Sequence, residues 1–225
     1  MTEALIDESN RHVPRGLPSA DPSSAVEAPD DAAHLRVVAD RSIDLAAAER
    51  GAALFLTSLG VDLTEEGLDE TPGRMAKAWA EFFTPRSFDM TTFPNDEGYG
   101  DLVLARGIPF RSICEHHLLP FTGTAHVGYL PGERILGLSK LARIVEYFAS
   151  RPQVQERLTQ QIANWLRDQL SPRGVGVVLE AEHTCMTLRG VKATGAVTVT
   201  SAMHGLLRED GRSREEFFAV AGIHR

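Results

Sequence analysis

An α+β fold is the expectation for this chain of 225 residues, and three observations predict it. Apolar residues recur at helical spacing in several blocks, β-branched runs bounded by Gly and Pro occur in others, and the order is helices, two strands, two helices, two strands, helix. That order differs from the strand and helix alternation of a doubly wound sheet. No internal repeat is visible. Hydrophobic residues make up 43% and charged residues 24%, enough apolar material to close a core, so disorder throughout is excluded.

Residues 1–38 include "RGLPSADPSSAVEAPDDAAH", which lacks either apolar period, and are expected to be a disordered tail. Residues 39–225 are expected to form one domain, with N-terminal helices over about 41–85 and a core over about 100–222. In the first helix Leu45, Ala48, Ala52, Phe55 and Leu59 share a stripe, and Gly60 ends it. In the second, Thr71 is the expected N-cap and Pro72 the first helical residue, followed by Met75, Trp79, Phe82 and Phe83 on one face. "DLVLARGIPF" and "GTAHVGYLPG" read as strands. The next helix carries Leu141, Ile144, Val145 and Phe148 on one face, and the one after it, opened by Pro152, carries Val154, Leu158, Ile162, Trp165 and Leu166. "GVGVVLEAEH" and "VKATGAVTVTSAM" are strands by their β-branched content, and Ser213 with Glu216 reads as a capping box for a last short helix.

The formal net charge of -8 argues against non-specific nucleic-acid binding. No stretch is long enough to cross a bilayer and no apolar run of signal-peptide length stands near the start, so a cytoplasmic location is expected. In a reducing compartment the two cysteines, Cys114 and Cys185, favour metal ligation or nucleophilic chemistry over a disulfide.

Both cysteines stand beside histidines. In "SICEHHLLPF" an extended chain would put Cys114 and His116 on one face and Glu115 and His117 on the other. A turn instead lets Cys114 and His117 converge, and C-x-x-H spacing supplies two zinc ligands. Cys185, in "EAEHTCMTLRG" with His183 two residues before it, would be the third. A Cys, His, Cys set with a fourth position open is the pattern of a catalytic zinc. A thiolate nucleophile with a histidine base fits the same residues, and a lone Cys or His in a strand is ordinarily a core residue.

Other residues point to an anionic substrate. Ser139 is the expected N-cap of a helix with Lys140 at its first position and Arg143 one turn on, which gathers cations and free N–H groups where phosphate binds well. A solvated helix face is the plainer reading of that pair. Gln155 and Glu156 place an amide beside a carboxylate, which suits the N–H donors of a guanine edge, although pairing within the helix would also use Glu156.

"CEHHLLPFTG", "GLSKLARIVEYF", "RPQVQERLTQQIA" and "HTCMTLRGVK" resemble GTP cyclohydrolase I of the zinc-dependent type, over roughly residues 45–220, from "ETPGRMAKAW" to "REDGRSREEF". The resemblance implies a tunnelling fold, in which antiparallel sheets with helices on one face join between subunits into a barrel, typically a decamer of two pentamers with active sites between chains. It implies conversion of GTP and water to 7,8-dihydroneopterin triphosphate and formate, with one zinc per subunit held by Cys114, His117 and Cys185. His116 and His183 would handle protons, with Glu115 as a structural neighbour. Gln155 and Glu156 would hold the guanine, Ser139 would lie by the ribose, and Lys140, Arg143, Arg189 and Arg74 would meet the triphosphate. His204, Ala196 and Val199 depart from the family pattern. Rival readings are a related zinc enzyme that stops at imidazole ring opening or feeds a deazapurine pathway, and a non-catalytic nucleotide- or pterin-binding module with structural zinc. A related barrel that reduces nitriles lacks the paired "CEHH" and "HTC" islands.

Overall fold

The computed structural model describes residues 42–223 and the backbone of the strand His34–Val37; the expected tail before residue 34 lies outside the described residues. In chain order the elements are β1 (His34–Val37), α1 (Leu45–Ser58), α2 (Thr71–Phe83), β2 (Phe88–Pro94), β3 (Val103–Cys114), β4 (Pro120–Leu130), β5 (Arg134–Leu136) and α3 (Leu138–Ala149). They continue as β6 (Pro152–Gln153), α4 (Gln155–Leu170), β7 (Gly174–His183), α5 (Thr184–Thr187), β8 (Thr198–Gly205), α6 (Leu206–Glu209) and α7 (Gly211–Ala221). This is the expected α+β class.

Five strands make the main sheet, in the order β6-β3-β4-β7-β8, and β1-β2-β5 make a small second one. Every neighbour in the main sheet runs antiparallel except β6, whose two residues lie parallel to the end of β3. The alternation along the strands decides where the core lies. Phe121, Ala125, Val127 and Tyr129 of β4 and Val175, Val177, Leu179 and Ala181 of β7 share one face. Leu141, Ile144, Val145 and Phe148 of α3, with Leu158, Ile162 and Leu166 of α4, cover that face as their spacing predicts. Leu130 and Val178 point to the opposite face, where Leu207, Phe217 and Ala221 of α6 and α7 close one end. Gly123 permits the closest strand approach: a Cβ there would lie 1.9 Å from the Glu180 carbonyl oxygen.

Several local expectations shift. Thr71 and Pro72 lie inside α2, whose N-cap is Glu70, and Ser139 lies inside α3, whose N-cap is Gly137. Pro152 belongs to β6 rather than opening α4, because the edge of β3 takes residues 152 and 153 into its ladder first. Asp210, not Ser213, caps α7, accepting from both the amide and the hydroxyl of Ser213. β5 and β6 escaped prediction because strands of three and two residues are too brief to show a period, and β2 because it alternates only over Phe88–Met90. β1 falls within the stretch assigned to the tail and is held by backbone pairing to β2. On α1 only Ala52 of the predicted stripe is buried, leaving Leu45, Phe55 and Leu59 exposed.

Tyr129 is nearly fully buried, and its hydroxyl accepts from the Leu136 amide at 2.8 Å, joining β4 to β5. Tyr129→Phe leaves a buried N–H without that partner and is expected to destabilise the fold by about 1–3 kcal/mol, read as a lower thermal midpoint by circular dichroism. An unchanged midpoint would mean that water replaces the phenol.

Candidate active site

At the end of β3 the chain coils sharply. The amides of His117 and Leu118 both approach the Cys114 carbonyl, at 3.4 and 2.8 Å, and Leu118 closes the turn at φ 51°, a left-handed conformation that a side chain adopts only at some cost. The coil replaces strand alternation with convergence: His117 Nδ1 lies 3.7 Å from Cys114 Sγ. Cys185 arrives from the other island, in the one-turn helix α5 that begins where β7 ends, and the Thr184 hydroxyl pins this junction by donating to the Pro120 carbonyl at 2.6 Å. One ligand atom from each of Cys114, His117 and Cys185 lies within 4.8 Å of the other two.

The donor set fits a divalent metal. With metal to sulfur and metal to nitrogen bonds of about 2.0–2.3 Å, the edges of a tetrahedral site are about 3.6 Å, close to the observed separation of Cys114 and His117. Burial pushes the Cys185 thiol up, and the facing Cys114 pushes it further, so these two sulfurs resist sharing negative charge without a cation. The nearby Arg189 acts in the opposite direction.

Around these three, β7 and α4 place the proton-handling candidates. His183 stacks face to face on Phe121, with centroids 4.4 Å apart and planes 8° apart, and its Nε2 is hydrogen-bonded to Gln155 Oε1 at 2.8 Å. Burial pushes its pKa down, while the Glu156 carboxylate pulls the other way. His116 is exposed, with Glu115 3.7 Å away. Glu115 is bound by Arg157 of α4, whose hydrogen bond holds the carboxyl below the usual range. Arg157 also donates to Gln153 Oε1 at 2.9 Å, so the ligand turn is tied to the start of α4.

Gln155 is the first residue of α4. Its side chain is buried, and its amide donates toward Leu179 O, Thr198 O and Thr200 Oγ1 within the sheet rather than facing open space. Glu156, its neighbour, is exposed in the first turn of α4. Arg189 is exposed just after α5. The remaining predicted residues form a second group. Ser139 and Lys140 stand at the start of α3, about 15 Å along the helix from Ala149, whose carbonyl meets Ser112 beside the ligand turn. Arg143 pairs with Glu146 on the same helix, and Arg74 of α2 with Glu70. The sequence reading missed Phe121, Arg157, Thr159 and Thr200; their contacts run across elements and leave no local pattern.

Arg157→Met removes the tie between α4 and the ligand turn. It is expected to weaken metal retention about tenfold in competition with a colorimetric chelator, with little change in secondary structure; equal retention would show that the turn holds itself.

The sequence profile of the family described as GTP cyclohydrolase I matches residues 48–222. The chain is 52% identical over 179 residues to GTP cyclohydrolase 1 of Aquifex aeolicus (strain VF5), which covers 80% of this chain and 97% of that protein. It is 52% identical over 170 residues to GTP cyclohydrolase 1 of Hydrogenobaculum sp. (strain Y04AAS1), covering 76% and 93%. It is 50% identical over 194 residues to GTP cyclohydrolase 1 of Mycolicibacterium paratuberculosis (strain ATCC BAA-968 / K-10), covering 84% and 93%. The two Cys/His islands that the fold brings together lie inside the matched span, and the chain belongs to the GTP cyclohydrolase I family.

Proposed function

We propose that this chain converts GTP and water to 7,8-dihydroneopterin triphosphate and formate, the first step toward pterins and folates. The observation that carries the reading is the convergence of Cys114, His117 and Cys185 from two distant islands, in a chain of this family. These residues would hold one zinc per subunit, which when bound lowers the pKa of water and acts as a Lewis acid.

The chain's own residues supply the rest. Purine C8 is a poor electrophile, so attack there requires a proton delivered to N7 and one removed from the attacking water. His116, exposed beside the turn after β3, and His183, seated on Phe121, are imidazoles, the side-chain type suited to that traffic. Glu156, exposed at the start of α4, would accept from the guanine N–H donors. Ser139 would lie by the ribose, and Lys140, Arg143, Arg189 and Arg74 would offset a triphosphate of about four negative charges.

The separation of the α3 cations from the ligand trio along one chain supports a site assembled from neighbouring subunits. A homo-oligomer, a decamer of two pentamers, would also cover the exposed Leu54, Phe55 and Leu59 of α1 and extend the sheet from its β8 edge, where Val197 and Val199 are exposed. Among the described residues no helix is long and apolar enough to cross a membrane, and the free thiols at the site suit the reducing cytoplasm.

Purified protein incubated with GTP is expected to release formate and fluorescent neopterin, read after oxidation and dephosphorylation, in equal amounts. Formate without neopterin would favour the ring-opening reading, and neither product from zinc-replete protein would refute the assignment. Cys114→Ala or Cys185→Ala is expected to abolish bound zinc and turnover together. His116→Ala is expected to keep the zinc and lose turnover by about 10²-fold or more; loss of metal in that variant would make His116 a ligand.

A further inference from the structure

We propose that Gln155 is a positioning residue that holds His183 in the Nε2–H tautomer, leaving Nδ1 as the ring's one proton-accepting atom. The proposal rests on the reading of His183 as a proton-transfer group and extends it to a named atom and to the residue that selects it.

The argument follows the directions in which the hydrogens can point. Gln155 Nε2 lies 3.0 Å from Leu179 O and 2.9 Å from Thr198 O. Backbone carbonyls only accept, so the NH2 end of the amide must face them. The reverse orientation would set the amide oxygen against two carbonyl oxygens in a buried place, which costs far more than a hydrogen bond returns.

Two hydroxyls agree with this orientation. The Thr159 hydroxyl donates to the Gln155 backbone carbonyl at 2.7 Å, which uses its only proton. The Thr200 hydroxyl, 2.6 Å from Thr159 Oγ1, must therefore donate to it and has no proton for an amide oxygen, while its own oxygen shares one of the two Gln155 Nε2 protons at 3.1 Å. The set is satisfied in one direction only.

With the amide so placed, Gln155 Oε1 faces His183 Nε2 at 2.8 Å. An amide oxygen has no proton to give, so Nε2 must carry the hydrogen and donate it. Nδ1 of the neutral ring is then bare. Phe121 fixes the plane of the same ring by parallel stacking, so both tilt and tautomer are set before substrate arrives. A free neutral histidine populates both tautomers, and one in the wrong tautomer presents N–H where a lone pair is required. In a serine-protease triad that error costs about 10⁴-fold in kcat.

Two experiments on the full-length, zinc-loaded protein test this. The first is a two-bond proton–nitrogen spectrum of protein carrying ¹⁵N-histidine, recorded well above the ordinary imidazole pKa of about 6.5, with the His183 signals identified by their loss in His183→Asn. The expected pattern is a protonated Nε2 and a bare Nδ1; the opposite tautomer would overturn the proposal. This spectrum needs no Gln155 variant, so it decides the tautomer even where substitution disturbs folding.

The second is steady-state kinetics of Gln155→Met, which keeps the length but neither donor nor acceptor. It is expected to lower kcat about 10²-fold while the KM for GTP and the zinc content stay within about threefold. A raised KM with kcat unchanged in Gln155→Met would overturn the proposal and return Gln155 to the guanine. Undiminished turnover in His183→Asn would overturn the proton-transfer reading of His183 itself, a result distinct from either outcome at Gln155.

Discussion

The pairing of β4 with β7 is the constraint on which the site depends, and it is set at one end by Phe121 opposite His183. The "CEHH" turn precedes β4 and the "HTC" segment ends β7. Because the two strands are antiparallel neighbours, the start of one and the end of the other meet at the same edge of the sheet. Two islands distant in sequence thus become one cluster through backbone hydrogen bonds made elsewhere. The register is strict because the core face is strict: Phe121, Ala125, Val127 and Tyr129 must meet Leu179, Val177 and Val175 under α3 and α4. A slip of β7 by one residue would turn Glu180 and Glu182 toward the helices and His183 away from Gln155. Gly123 lets the strands reach this register, since any side chain there would strike the β7 backbone.

The N-terminal turn of α4 is the second organiser. Its first residue, Gln155, reaches the β7–β8 ladder and His183; its third, Arg157, reaches Glu115 and Gln153. One helix end thereby fixes both islands, the histidine at the end of β7 and the turn after β3. Apolar burial of Leu158, Ile162 and Leu166 sets the position of the helix, and its polar first turn uses that position. The division is physically sensible: non-directional packing supplies the binding of helix to sheet, and short hydrogen bonds supply the angular precision with which side chains are held.

The two core helices were legible because 12 and 16 residues at a 3.6 period leave several independent apolar marks, and of those residues all but the half-buried Val154 and Trp165 are buried. The clustering of Cys114, His117 and Cys185 was legible from spacing, since both cysteines lie by histidines and C-x-x-H converges in a coil. What failed to show were contacts between elements. Nothing local in "RPQVQERL" says that Gln155 points into the sheet and Glu156 out of it; that follows from the angle at which α4 meets β7. Caps were misplaced by a residue or two where Pro and Ser sit just inside a helix that begins earlier, as Thr71, Pro72 and Ser139 do. The α1 block was read correctly as a helix, yet of its stripe only Ala52 is buried, because a period marks a face without saying what packs on it.

Two of the four cations assigned to the triphosphate, Arg74 and Arg143, are already engaged, and the strength of those engagements bears on how a substrate could recruit them. Arg74 holds Glu70 at 3.0 Å, and Arg143 lies 3.5 Å from Glu146, which Arg86 also binds at 2.6 Å. The Arg74 pair is well exposed on both sides, and exposed pairs of this kind are worth about 0–1 kcal/mol. Surrendering such a partner to a polyanion therefore costs little, while the pairing keeps the guanidinium extended and near its place. Glu146 is the more buried carboxylate and retains Arg86 through two bonds, so release of Arg143 would leave it with a partner. A chain of net charge -8 can in this way present cations to an anionic substrate: the acidic residues moderate the field locally and yield when a ligand of higher charge density arrives.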